Sequence, residues 1–153
     1  MCTVLYLATP KAVRLVSYEQ THGMFEIRGT PPAGVPGCLS YPHVVDAGSH
    51  TGCSCGFPQQ WHGISLPPDD YGDVPYSLEP RSKASFRAFV GFLSNTLERQ
   101  HSCELYLVQY GDIDAPDSVS EIDFSELALP SFRLREGELI GVHYGKSNQD
   151  QVQ

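Results

Sequence analysis

The chain has 153 residues, 41% of them hydrophobic and 18% charged, which is enough for one hydrophobic core and too apolar for a disordered segment. Ten Lys and Arg against 18 Asp and Glu give a formal charge of −8, which disfavours nucleic acid and anionic membrane surfaces as partners. No apolar run approaches the ~20 residues of a membrane span. Met1-Cys2-Thr3-Val4 lacks the basic region and cleavage site of a signal peptide, so the expected location is cytoplasmic.

In chain order, Thr3 to Ala8 is rich in β-formers and stops at Thr9-Pro10, a first strand. Ala12 to Glu19 and Met24 to Arg28 read as the next two, with His22-Gly23 as the turn between them. Composition then shifts. Eight of the 12 prolines and seven of the 14 glycines fall between Pro31 and Pro75, so this stretch is expected to be a long loop. A short strand, His43 to Ala47, interrupts it. The spacing of Phe86, Phe89, Val90, Leu93 and Leu97 is one stripe of an amphipathic helix from about Pro80 to Gln100, and these side chains are expected to be core.

Cys103 to Tyr110 reads as a central strand. Asp117 to Leu127 fits a short helix or a turn. Ser131 to Arg135 and Glu138 to Tyr144 flank Glu136-Gly137, which predicts a hairpin. The expected domain is residues 1–145, with residues 146–153 a polar tail. Strands, a long loop, one helix and more strands predict an α+β fold: a mostly antiparallel sheet packed against one main helix.

The unusual chemistry lies in Gly48-Ser49-His50-Thr51-Gly52-Cys53-Ser54-Cys55-Gly56-Phe57. Two thiols one residue apart, framed by glycines, can bend toward a common point. Zinc prefers four N or S ligands in a tetrahedron. Cys53 and Cys55 supply two, His50 a third, and Cys2 or His62 the fourth. Five cysteines, an odd number, argue against a disulfide framework, and Cys103 in an apolar run reads as a buried hydrophobe. The usual zinc and redox spacings, C-x₂₋₄-C and C-x-x-C, are absent.

The opening Met1 to Ala8, the block from Gly48 to Phe57 and the later Phe132-Arg133-Leu134-Arg135-Glu136-Gly137-Glu138-Leu139 resemble a family of small bacterial proteins of unknown function. That family's central block usually has glycine where Ser54 stands here. The resemblance groups Cys2, His50, Cys53 and Cys55 as one constellation and implies no activity.

The leading expectation is a small metal-binding protein, with zinc in a structural role. One alternative is a thiol-dependent redox or transfer enzyme. Another is a metal-free module whose acidic stretches, among them Asp69-Asp70 and Asp117 to Asp123, dock on a protein partner. Cys2 as an N-terminal nucleophile would require loss of Met1. A triad of Ser49, His50 and Asp46 lacks a nucleophile elbow.

Overall fold

β1 (Thr3–Thr9) is buried along its whole length, as a strand must be when both faces of its sheet are covered. The computed structural model describes residues 3–29, 34–60, 80–111 and 115–145. β1 lies inside a six-stranded sheet with β2 (Phe25–Arg28), β3 (His43–Ser49), β5 (Ser102–Gln109), β6 (Ser118–Asp123) and β8 (Glu138–His143). The strand order is β2-β3-β1-β5-β8-β6, and every pairing is antiparallel except β6 with β8. β4 (Gln59–Gln60) and β7 (Leu134–Arg135) form a small parallel pair beside it. The fold is α+β in a single small domain, with one main helix, α1 (Pro80–Gln100). A second helix, α2 (Phe124–Leu127), is one turn long and carries a capping box from Asp123 and Glu126.

Alternation along the strands sorts the two faces. Leu5, Leu7, Ile27, Ala47, Leu105 and Leu107 point to the helix side and meet Phe86, Phe89, Val90, Leu93 and Leu97 of α1 in one core. The helix stripe is therefore packing, as its spacing predicts. Val4, Tyr6, Tyr106, Val108 and Leu139 form a second cluster on the opposite face, with Cys38 and Leu39 packed on it. Glu104 fixes that covering segment: its Oε1 accepts from Ser40 N, Ser40 Oγ and Tyr41 N at 2.9, 2.9 and 3.1 Å. Three donors on one carboxylate oxygen compensate its burial.

Three expectations fail in whole or in part. Ala12 to Glu19 is not a strand; Val16 alone makes a bridge, to Ile27, and Tyr18 to Gly23 is a chain of turns. His22 and Gly23 do form the predicted turn, both with positive φ. Glu136-Gly137 does not close a hairpin, because β7 pairs with β4 and β8 with β5 and β6. Gly137 instead joins the sheets: its N–H donates to Leu107 O at 2.8 Å and its carbonyl accepts from Asp117 N at 2.8 Å. A sequence signal for a tight turn specifies local φ, which Gly137 has at +80°, but not which strands pair across it. The segment from Asp117 to Leu127 is a strand followed by one helical turn. The expected tail, residues 146–153, lies outside the described residues.

Candidate functional site

β1 and β3 pair from Thr9↔His43 to Leu5↔Ala47, and the antiparallel ladder stops there. Beyond it the chain leaves β3, turns through His50 to Cys53, and enters a 3-10 turn at Ser54–Gly56 that packs against both strands. Ser54 is the hinge of this arrangement. Its Oγ accepts the Leu5 N–H at 2.7 Å and donates to Ala47 O at 2.6 Å. A hydroxyl thus bridges a backbone donor and acceptor on neighbouring strands, and Ser54 is fully buried.

The turn is held from every side. Ser49 N–H and Oγ both donate to Cys53 O, at 2.9 and 2.6 Å, and Gly52 N–H donates to Ser49 O at 3.0 Å. Gly52 has φ +94°, which suits glycine. The Tyr18 hydroxyl donates to Ser49 O, and Arg28 Nη1 donates to Gly52 O at 2.9 Å. Arg28 also pairs with Asp46 and Glu26, each at 3.0 Å. Burial, reinforced by the Glu26 charge, pushes the Tyr18 phenol up to about 12. From the helix side, Ser85 Oγ accepts His50 N–H at 3.2 Å and donates to Met24 O at 2.6 Å. Phe57 is fully buried and packs against Phe86 and Phe89 at ring distances of 5.8 and 5.3 Å. Gly56 admits no side chain, since a Cβ there would strike Ser49 Oγ and lie 2.9 Å from His50 Cε1.

These contacts account structurally for Ser49, Gly52, Ser54, Gly56 and Phe57. The thiols remain. Cys55 Sγ accepts from Thr3 N–H at 3.1 Å and from Thr3 Oγ1 at 3.6 Å. Gln59 Nε2 donates to Thr3 Oγ1 at 3.1 Å and to Ser54 O at 2.8 Å, which orients the threonine hydroxyl toward the sulfur. Sulfur is a weak acceptor, so hydrogen bonding alone would favour an oxygen at this position. Cys53 Sγ contacts Thr51 Oγ1 at 3.6 Å, and both cysteines are half-buried.

His50 lies beside Gly56, with its Nδ1 atom buried. Among the described residues, no three His, Cys, Asp or Glu side chains are arranged to hold a metal ion. Cys2 and His62 lie outside the described residues. The triad of Ser49, His50 and Asp46 does not assemble: Ser49 Oγ is bound to Cys53 O and Thr51, and Asp46 is bound to Arg28. Cys103 is 1% exposed, and its thiol is pushed up to about 12 by burial and the neighbouring Glu104. Two acids of the expected acidic stretch do local work: Asp123 caps α2, and Glu121 lies 3.4 Å from His143.

The role of Ser54, which stands where the resembled block usually has glycine, is not visible in the sequence. Nor are those of Thr3 and Gln59, because their roles depend on the β1–β3 divergence. No helix among the described residues is long and apolar enough to cross a membrane. No protein-family model matches the chain, and neither a curated protein nor a solved structure shows detectable similarity to it.

Proposed function

We propose that the Cys53–Cys55 turn is a thiolate donor site for a soft divalent ion, zinc first, with a structural role. The observation that carries this reading is the treatment of Cys55 Sγ, which accepts both the N–H and the hydroxyl of Thr3. Donors aimed at sulfur are what a metal-bound thiolate requires from its surroundings. The ion would join the start of β1 to the turn after β3, where the ladder has already ended. Cys53 and Cys55 give two of four ligands; His50 and Cys2 are the proposed remainder.

One observation favours a second reading. Both cysteines are half-buried, so solvent-borne reagents can reach the thiols, as thiol chemistry requires. Elemental analysis of protein purified without chelator or metal-affinity tag separates the two. About one zinc per chain, lost in Cys53→Ser and Cys55→Ser but retained in Cys103→Ser, supports the metal site. Less than ~0.1 metal per chain, with both thiols alkylated in the folded protein, overturns it in favour of thiol chemistry.

A further inference from the structure

A further feature lies beside α1, at the edge of the core to which Phe86 and Val90 belong. A cavity of about 330 Å³ opens between α1, α2 and the segment from Ala128 to Arg133. Its walls are apolar: Phe86, Val90, Leu127 and Phe132, with Pro58 and Pro130. Phe86 and Phe132 stack at 5.7 Å with their planes 6° apart, which gives the cavity a flat aromatic wall. Its rim carries Lys83, Arg87 and Arg133, and no acidic residue among the described residues lines it.

That rim runs against the charge of the whole chain. Three of only ten Lys and Arg converge there, on a protein with a formal charge of −8. Lys83 and Arg87 are one turn apart on α1 and exposed, so their charges stand on the same side of the helix. Arg133 is held in place. Its Nη1 donates to Pro130 O at 3.0 Å and to Phe132 O at 2.8 Å. Those bonds use the hydrogens of one nitrogen and leave the Nε–Nη2 edge of the guanidinium, the edge that grips a carboxylate with two parallel bonds. Among the described residues, no carboxylate forms an ion pair with any of the three cations.

We infer that this cavity binds a small amphipathic anion, a carboxylate on a short acyl or aryl body. The apolar part would lie against Phe86 and Phe132, and the carboxylate would meet Arg133, with Arg87 and Lys83 at the mouth. The volume is at the lower end of small-molecule pockets, about 300–1,000 Å³, which limits the ligand to a short chain or a single ring. A phosphate headgroup on the same body shares this chemistry, and the experiment separates the two.

The test uses the full chain, labelled for amide NMR and titrated with octanoate, octyl phosphate and 1-octanol. The expected result is saturable shifts at Phe86, Arg87 and Phe132 with octanoate, and binding by 1-octanol weaker by at least about tenfold. Arg133→Gln should weaken octanoate by about tenfold, and Leu129→Glu, at a half-exposed position on the rim, should abolish its binding without unfolding the protein. Tighter binding of octyl phosphate than octanoate would assign the headgroup as phosphate within the same anion site. Equal binding of octanol and octanoate, octanoate binding unchanged in Arg133→Gln, or no saturable shift with any probe at millimolar concentration would each overturn the inference.

Discussion

Ser54→Ala tests the central joint of the fold. The substitution removes one hydroxyl and leaves two backbone groups, Leu5 N–H and Ala47 O, without the partner they have at 2.7 and 2.6 Å. Ser54 and both of those residues are fully buried, so water has no direct route to replace it. A buried polar group left unsatisfied costs about 1–3 kcal/mol, so two should cost about 2–6 kcal/mol. In a domain of this size, at about 2–4 °C per kcal/mol, that lowers Tm by roughly 4–24 °C. Urea denaturation of wild type and variant gives the free energy. Hydrogen exchange at the Leu5 amide gives an independent local readout, since that amide should lose protection more than those deeper in β1. Ser54→Gly should behave like Ser54→Ala or slightly worse. A loss below about 0.5 kcal/mol, with the Leu5 amide still slow to exchange, would refute the bridge.

Three further outcomes follow from the packing. Phe89→Ala should cost ~3–5 kcal/mol by denaturant unfolding, because Phe89 is fully buried against Phe25, Phe57 and Phe86; a loss under about 1 kcal/mol would mean the helix faces elsewhere. Gly137→Ala should destabilise by more than about 2 kcal/mol, since φ is +80° and a Cβ would collide with the Asp117 carboxylate; the paired variant Gly137→Ala with Asp117→Ala should recover only the collision part of the loss. Stability should fall with rising pH in the alkaline range. Burial raises the folded Cys103 thiol from 9.0 to about 12, so the folded state holds a proton that the unfolded chain releases. The contribution is complete below about pH 9 and is lost as pH climbs toward 12. At about 1.4 kcal/mol per unit it amounts to several kcal/mol, and Cys103→Ala should flatten the slope of stability between these limits. Tyr18, raised to about 12 in the folded protein, leaves a residual slope above pH 10. An unchanged slope in Cys103→Ala would show that Cys103 is not the titrating group.

The helix was legible because its signal is local and repeated: five apolar residues on one stripe, and Pro80 at a first turn. The central strands β1 and β5 were legible for a similar reason, being continuous apolar runs bounded by breakers. The failures are of pairing, apart from β6, whose polar residues Ser118 to Asp123 gave no strand signal. Val16 has the composition of a strand residue, but its neighbours are exposed and only one bridge forms. Glu136-Gly137 has the composition of a hairpin turn, yet Gly137 is drawn to Leu107 and Asp117, residues about 20 to 30 positions away in sequence. At the site, glycines and a buried aromatic marked the turn as special. The division of labour within it was invisible, because Ser54, Thr3 and Gln59 find their partners across 49, 52 and 56 positions.

The same division of labour decides how the cysteine block should be read. A tight glycine-rich motif between two strands can exist for folding alone, and most of this one does. Ser49 closes the loop, Ser54 bridges the strands, Gly56 permits close approach, and Phe57 anchors the turn to α1. A purely structural turn would be served at least as well by serine at Cys55, where the partner is a backbone N–H and oxygen is the better acceptor. Among the described residues the hydrogen-bond partner of Cys53 Sγ is Thr51 Oγ1, a contact that asks nothing particular of sulfur. The thiols are thus the two positions whose chemistry exceeds their packing role. Cys53→Ser and Cys55→Ser should therefore leave stability within about 1 kcal/mol of wild type in metal-free protein, while changing whatever property depends on sulfur. If the serine variants of metal-free protein lose several kcal/mol, the cysteines belong to the structural turn after all, and the site reading falls with them.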